Sequence, residues 1–170
     1  MNIKLGHGRV AIVDEEDYER LSEHRWHACN FRGKFYAMRQ NRARRTIYMA
    51  REILRLRPGD KRDVDHINAD TLDNRKVNLR ACSRQQHAGN MGICRVNTTG
   101  YKGVSFVNKT GKFLSQIRSQ GYHFHRAFAT AKEAAAYYDE KAILIHGEFA
   151  RTNAMMGLLD AYACDDLASH

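Results

Sequence analysis

The stretch that decides the fold runs from residue 63 to residue 90 and reads DVDHINADTLDNRKVNLRACSRQQHAGN. The run RDVDHIN, residues 62–68, predicts a strand, and the run NLRACS, residues 78–83, predicts a second strand. The polar segment NADTLDNRK between them predicts a loop. Ser83 and Gln86 form an S-x-x-Q capping box, so a helix is expected to begin at Arg84. The order strand, loop, strand, helix brings Asp65 and His66 of the first strand opposite His87, which falls one turn inside the helix.

Five side chains of this stretch fit metal-dependent cleavage of a phosphodiester. Asp65 and His87 offer an oxygen and a nitrogen to a divalent cation and leave positions for water and phosphate. His66 is the candidate general base, because an ordinary imidazole with a pKa of about 6.5 is largely neutral near pH 7. Asn78 can hydrogen-bond to backbone across the loop and so hold His66 in place. Asn90 is predicted on the same helix face as His87, in an accessory role.

The charge of the chain indicates a polyanionic partner. Its 170 residues include 28 Lys and Arg against 19 Asp and Glu, a formal charge of +9. No Lys or Arg follows Arg151, whereas three Asp do, so the first 153 residues carry +12. An excess of this size favours nucleic acid as the partner.

Cysteine usage and hydropathy predict a soluble intracellular protein, cytoplasmic and without a membrane partner. The four cysteines contain no C-x-x-C pair, which argues against a disulfide framework or a cysteine zinc site and favours a reducing compartment. The N-terminus, MNIKLGHGRV, lacks the apolar centre of a secretion signal. No apolar run approaches the roughly 20 residues that span a bilayer.

The segment 1–57 is predicted to be β-rich. The runs RVAIVD, RWHACN and KFYAMRQ are expected to be strands, with Asp14 capping a short helix and Gly33 in a turn. Residues 39–57 contain seven Arg and one Glu, and the candidates for DNA contact there are Arg42, Arg44, Arg45 and Arg51. Pro58-Gly59-Asp60 marks a break before the motif at about 61–92.

A third segment, 98–153, contains three further strand candidates, YKGVSFV, KFLSQIRS and YHFHRAF. Thr130 and Glu133 form a capping box for a following amphipathic helix, and Gly147 stands where its C-terminal cap belongs. The predicted fold class is therefore α+β. The predicted domains are a nuclease-like domain over 1–97, a small three-stranded antiparallel sheet packed on one helix over 98–153, and an acidic tail over 154–170.

The residues DH…N…H at these spacings resemble the HNH endonucleases, which have the ββα-metal fold. The stretches AIVDEEDYERLSEHRWHA, YMAREIL and NLR…QQ resemble more narrowly the HNH homing endonucleases of phages and mobile introns. The resemblance implies that His66 is the general base, that Asp65 and His87 bind the metal, and that Asn78 supports the loop. It also implies a phage-infected bacterial cell as the setting. Hard oxygen ligands with one imidazole fit one Mg²⁺ or Mn²⁺ per site, whereas Zn²⁺ could bind without supporting turnover.

One position departs from that family. Relatives usually have His-Arg where this chain has Ala50-Arg51. If that His normally assists the site, its absence implies slow or lost cleavage.

The segment 98–153 resembles the DNA-binding domain of plant ethylene-response factors (APETALA type), which is also found attached to phage HNH endonucleases. The matching residues are YKGV, GKF–L–QIR, F–TAKEAAAYYD and the closing ARTN. In that family the sheet enters the major groove of DNA. The resemblance places Phe113 on a DNA-facing strand position, but the alternation of side chains along the middle strand indicates that Phe113 is a core residue. The predicted DNA-contacting residues are Lys102, Lys109, Lys112, Gln116, Arg118, His125 and Arg126.

Two functions from different classes follow. The first is a homing-type endonuclease acting on double-stranded DNA; a single site cuts one strand at a time, so nicking as a monomer and double-strand breakage as a dimer both stay open. The alternative is a sequence-specific DNA-binding regulator with an inactive nuclease site. An RNA-binding protein is disfavoured, because no RNP-type aromatic signature is present.

Overall fold

The structure is a computed structural model that describes residues 1–119 and 121–159, and the chain divides into two compact units, Met1–His87 and Ala88–His170. The elements of the first unit are β1 (Asn2–Gly6), β2 (Arg9–Ile12), α1 (Glu15–Ser22), β3 (His27–Phe31), β4 (Lys34–Gln40), β5 (Thr46–Tyr48), α2 (Met49–Ile53), β6 (Asp63–His66) and β7 (Leu79–Cys82). Helix α3 (Arg84–Gly89) begins in the first unit and ends in the second. The remaining elements are β8 (Val104–Val107), β9 (Lys112–Ser119), β10 (Tyr122–Phe128) and α4 (Ala131–His146).

Small antiparallel sheets and short helices make up both units, which confirms the α+β prediction. Strands β6 and β7 and helix α3 follow one another in the predicted order, and α3 begins at Arg84 as the capping box indicated. The Gln86 backbone N–H donates to Ser83 Oγ at 3.2 Å, and the Ser83 N–H donates to Gln86 Oε1 at 2.8 Å. Strands β1 and β5 were not predicted from the sequence.

The first unit has one hydrophobic core, to which the strands, both helices α1 and α2, and the segments between them contribute. The β1–β2 hairpin and the sheet β3-β4-β5 enclose Leu21 of α1 and the indole of Trp26, which donates to the Leu21 carbonyl at 2.8 Å. Helix α2 adds Met49, Ala50 and Ile53. The β-rich extension is therefore the body on which the motif of residues 63–90 is built.

Two strands alone are marginally stable in water, and the β6–β7 ribbon is attached to that body through its connecting loop. The Ile12 N–H donates to the Leu72 carbonyl at 2.9 Å, and the Asn74 N–H donates to the Ile12 carbonyl at 2.7 Å. Asp14 precedes α1 as predicted, but its side chain does not cap that helix. Its carboxylate instead accepts the Lys76 backbone N–H at 2.6 Å, so it fixes the loop.

In the second unit, the sheet has the order β10-β9-β8 and packs against α4. On β9 the side chains of Ser115 and Ile117 are buried and Phe113 packs against the core, whereas Gln116 and Arg118 are exposed. The prediction that Phe113 belongs to the core is confirmed. At the start of α4, Thr130 and Glu133 form both hydrogen bonds of the capping box.

Buried contacts link the two sequence motifs YKGV, residues 101–104, and ARTN, residues 150–153, of the second unit. Gly103 has a φ of +75°, and a Cβ there would meet the ring of Tyr138 at 1.9 Å. Asn153 is fully buried; its amide oxygen accepts the Lys102 N–H at 2.7 Å, and its amide nitrogen donates to Asp139 at 2.8 Å. The two motifs are therefore joined to α4 through one amide and one carboxylate.

The unit boundary lies near 87, about ten residues before the predicted boundary at 97. The difference arises because the intervening residues make their contacts in the second unit: a Cβ on Gly89 would meet His146, and the Asn97 amide donates to the Tyr101 carbonyl at 2.8 Å. Leu159, which falls within the predicted acidic tail, is buried in the core. The remainder of that tail, 160–170, lies outside the described residues.

Lys102 provides a test of this packing. Its ammonium donates to the Gly89 and Arg151 carbonyls, both at 2.9 Å, and burial lowers its pKa from 10.5 to about 8. At pH values between these two pKa values, Lys102 is protonated in the unfolded chain but largely neutral in the folded one. The free energy of unfolding should therefore rise with pH in this range, by at most about 1.4 kcal/mol per pH unit from this group. Urea unfolding of wild type and Lys102→Met between pH 8 and 10 measures the difference in slope.

The matched control is Lys109→Met, because Lys109 is exposed in the β8–β9 turn. This control should retain the wild-type pH dependence, whereas Lys102→Met should lose part of it. Equal slopes in all three proteins would contradict the buried position of the Lys102 ammonium.

Candidate functional site

A cleft of about 510 Å³ opens beside the end of β6 in the first unit. His66 and His87 both line it, together with residues of the β3-β4-β5 sheet and of α2. The remaining lining residues are Phe31, Tyr36, Thr46, Tyr48, Ala50, Arg51, Asp63 and Val64. Two histidines that are 21 positions apart in the sequence therefore share one concave surface.

His66 is the buried member of this pair, with 6% of its surface exposed. Its Nε2 lies 3.5 Å from Asn74 Oδ1, and its ring meets the Tyr36 ring edge-on at 6.5 Å between centroids. Burial lowers the pKa of His66; the contact with Asn74 and the charge of Asp65 oppose this shift without reversing it. The neutral imidazole is thus favoured, which is the form that can accept a proton.

Asn78 makes the loop contacts that the sequence predicted. Its Oδ1 accepts the Asn68 N–H at 2.9 Å, its Nδ2 donates to the Asp73 carbonyl at 2.7 Å, and its own carbonyl accepts the Ile67 N–H at 2.9 Å. Ile67, the donor in the last of these bonds, follows His66 directly in the chain. Asn78 therefore fixes the backbone next to the candidate base, and its part in catalysis stays a prediction.

Asp65 is 2% exposed and forms an ion pair with Arg80, the residue opposite it on β7. The distances from Asp65 Oδ2 to Arg80 Nε and to a terminal guanidinium nitrogen are 2.9 and 2.8 Å. Arg80 was not identified as a site residue from the sequence. Its position in the second strand could have identified it, because antiparallel pairing places Arg80 beside the Asp65 carboxylate on one face of the β6–β7 ribbon.

His87 lies in the last turn of the six-residue helix α3 and is about half-exposed. Its Nδ1 is 3.9 Å from Oδ2 of Asp63, a second residue that sequence reasoning missed. Asp63 and Asp65 are two apart on β6 and so project from the same face of the strand. That period-2 spacing, together with the start of the helix just after β7, could have identified Asp63.

The prediction for Asn90 is wrong in one respect. Helix α3 ends at Gly89, so Asn90 lies beyond the helix and does not continue the helix face of His87. Asn90 belongs to the second unit, where it is 8% exposed. The helix ends at Gly89, one residue before Asn90. The capping box predicts where the helix starts and carries no information about where it ends.

The predicted arginine contacts of the first unit fall into two groups. Arg42, Arg44 and Arg45 are exposed between β4 and β5. Arg51 is half-buried at the cleft, where its guanidinium donates to the Arg62 carbonyl at 2.6 Å and to the Asp60 carbonyl at 3.0 Å. Arg51 therefore holds the segment that leads into β6.

Ala50, where the resemblance to HNH homing endonucleases implies a His, is 6% exposed and lines the same cleft as His66 and His87. An imidazole in its place would project toward this cleft. The departure from the family pattern therefore falls within the candidate site.

In the second unit, Lys109, Lys112, Gln116, Arg118 and His125 are exposed. Lys102 is not, because its ammonium is buried against two carbonyls, and its predicted DNA contact is thereby corrected. Arg126 pairs with Ser115, on the face of the sheet opposite to Gln116, and its guanidinium lies 5.4 Å from the Phe128 ring. It thus does not share the face of the other candidates.

Among the described residues, Asp14, Glu16 and Asp17 are the group of three or more metal-ligating side chains whose donor atoms lie close together. The Lys76 ammonium already pairs with two of these carboxylates, at 2.7 Å from Glu16 and 3.1 Å from Asp17. It is therefore a salt-bridge network between α1 and the loop that follows β6.

Comparisons with known proteins agree with this geometry. Residues 58–88 match the family profile described as HNH endonuclease, and the matched segment coincides with the β6–β7 ribbon and the start of α3. The chain is 26% identical over 153 residues to the "Uncharacterized HNH endonuclease L560" of Acanthamoeba polyphaga mimivirus, covering 87% of this chain and 76% of that protein. It is also 26% identical over 88 residues to "Protein 3.8" of Escherichia phage T7, covering 52% and 73%.

No solved structure matches this chain. The comparisons do not support the likeness of residues 98–153 to ethylene-response factors, which stays a prediction. Within the part of the chain that the structure describes, no helix has the length and apolar character needed to cross a membrane.

The bracing role of Asn78 can be tested through stability. Asn78→Ala removes one acceptor and one donor and leaves the Asn68 N–H and the Asp73 carbonyl without this partner. The free energy of unfolding should fall by about 1–3 kcal/mol, the cost of polar groups left unpaired. Urea unfolding measures the loss, with Asn108→Ala in an exposed turn as the control. A variant as stable as the control would show that the loop does not depend on this amide.

Proposed function

We propose that the protein is a metal-dependent DNA endonuclease of the homing type that hydrolyses a phosphodiester with a water activated by His66. The observation that carries this proposal is the cleft that His66 and His87 both line, since both residues lie inside the segment that matches the HNH endonuclease family. HNH nucleases act on DNA, and the +12 charge of the first 153 residues suits a polyanion.

The roles follow from the contacts. His66, kept neutral by burial, takes a proton from the attacking water. Asn78 and Asn74 keep the imidazole in place, one through the adjacent backbone and one through Nε2. Arg51, at the edge of the same cleft, places positive charge where a backbone phosphate would approach.

HNH nucleases generally use a divalent ion, and a carboxylate oxygen and an imidazole nitrogen are donors that such an ion accepts. Asp65 and His87 would hold it, and Asp63, which faces Nδ1 of His87, would orient that ring so that Nε2 ligates. An ion held by few protein ligands suits Mg²⁺ or Mn²⁺, which keep several waters. When bound, such an ion supplies positive charge that stabilises the developing phosphorane and the leaving 3′ oxygen.

The second unit would hold duplex DNA. Its outward sheet face presents Lys112, Gln116, Arg118 and His125 at alternate positions of two neighbouring strands, and the turn before β9 adds Lys109. This arrangement supports the predicted resemblance to a sheet that reads the major groove. The homing-type assignment and the cellular setting of a phage-infected bacterium belong to the same proposal.

Cleavage itself gives the first test. Wild-type protein incubated with supercoiled plasmid and Mg²⁺ or Mn²⁺ should give nicked or linear DNA, and His66→Ala should lower the rate by at least about 100-fold, the contribution of a positioned base. The control is His24→Ala, because His24 is exposed and outside the cleft. If neither metal gives cleavage by the wild type, or if His66→Ala cuts as fast as His24→Ala, the proposed mechanism is wrong.

A second candidate function is a DNA-binding regulator whose nuclease site is inactive, and Ala50 favours it. This residue lines the cleft at the position where relatives have His. The regulator predicts tight duplex binding without cutting, and Ala50→His should then restore cleavage. Gel-shift and plasmid assays on wild type and Ala50→His separate the two functions. If wild type binds without cutting and Ala50→His stays silent with every metal, Ala50 does not explain the inactivity.

A further inference from the structure

One wall of the cleft beside His66 consists of three aromatic rings, Phe31, Tyr36 and Tyr48, which come from β3, β4 and β5. Tyr36 contacts both Tyr48 and the candidate base His66. Its ring meets the Tyr48 ring edge-on, with 6.3 Å between centroids, and meets the His66 ring at 6.5 Å. The rings therefore form a surface that continues up to the candidate base.

Two of these rings are exposed to a degree that core packing does not account for. Phe31 is 63% exposed and Tyr48 is 41% exposed, whereas Tyr36 between them is half-buried. Phe31 has the Arg32 guanidinium 5.3 Å from its ring centroid. Phe31 and Tyr48 thus present ring faces or edges to the cleft and to solvent.

The cleft has room for a nucleotide, because its volume of about 510 Å³ falls in the range of about 300–1,000 Å³ that small-molecule sites occupy. A second groove of about 280 Å³ shares Thr46, Tyr48 and Arg51 with it and also includes Arg45. A path lined by arginines therefore leads past Tyr48 to His66.

An arginine-lined groove next to exposed aromatic rings is the arrangement by which proteins hold single-stranded nucleic acid. The cations follow the phosphates, and each base stacks on a ring. In an intact duplex every base is stacked between its neighbours, so no base face is available to Phe31 or Tyr48. A nucleotide must be unpaired or rotated out of the helix to use these rings.

We infer that the nuclease unit takes the scissile strand in unpaired form, with a nucleobase stacked on Phe31 and Tyr48 and its phosphates along Arg45 and Arg51. This inference rests on the proposed nuclease function of the cleft and adds its substrate class, which is DNA with a locally unpaired segment. The phosphate next to the stacked base would then be the one that lies nearest to His66.

Binding to two DNAs tests the inference. One is a fluorescently labelled duplex, and the other has the same length and the same labelled strand, with central mismatches that open a bubble. Full-length protein in EDTA should bind the bubble at least about fivefold more tightly than the duplex, the effect of one stacked base. Both DNAs offer duplex arms, so contacts made by the second unit contribute to both affinities.

The variants are Phe31→Ala with Tyr48→Ala, and the control is Tyr122→Ala, an exposed aromatic residue of the second unit. The double variant should lose the preference for the bubble while its affinity for the duplex stays as in wild type. Circular dichroism shows whether it folds, and 2-aminopurine placed in the bubble gives a second readout, because its fluorescence changes on stacking. Equal binding of bubble and duplex by wild type, or an unchanged preference in the double variant, would overturn the inference.

The outcome is separate from that of the cleavage assay, because binding in EDTA requires no catalysis. A protein that prefers the bubble through Phe31 and Tyr48 but cuts no DNA would retain this inference and lose the proposed reaction. A protein that cuts DNA but shows no bubble preference would retain the reaction and lose the inference.

Discussion

The amide of Asn78 makes the contacts on which the geometry of the first unit depends. It closes the loop between β6 and β7 by accepting the Asn68 N–H and donating to the Asp73 carbonyl. A ribbon of two four-residue strands has too little surface to be stable alone. The loop therefore has to be fixed from within by Asn78 and from outside by the β-rich extension, through Ile12 and Asp14.

This constraint gives the extension a function that its sequence does not display. Its core residues pack the hairpin and the sheet β3-β4-β5, and the ends of those strands then bond to the loop that follows His66. Thr71 adds a further bond, from its hydroxyl to the Phe35 carbonyl at 2.6 Å. The candidate base is thus placed by contacts with residues some 30 to 60 positions away. The same sheet supplies the aromatic wall of the cleft, so one packing arrangement positions both base and wall.

Patterns that depend on near neighbours were predicted well. The strands β2, β3, β4 and β6 to β10 follow the runs of alternating or β-branched residues, and both capping boxes start a helix where expected. The misses share a physical cause. Asp14 and Lys102 were given contacts that the structure does not show, and Arg80 was not identified, because the groups they contact are distant in sequence. Burial decides whether a charge meets solvent or a carbonyl. Asp63 was overlooked because its partner His87 lies across the whole motif.

The sequence by itself determined the order of the elements, the excess of positive charge, and the spacing of Asp65, His66, Asn78 and His87, because period, caps and composition are local properties. Only the tertiary structure decided which groups meet. It put Arg80 on Asp65 and Asp63 near His87, it buried the ammonium of Lys102, and it set Phe31 and Tyr48 beside His66. Such contacts depend on how separate elements pack and exclude water, which no single stretch of sequence encodes.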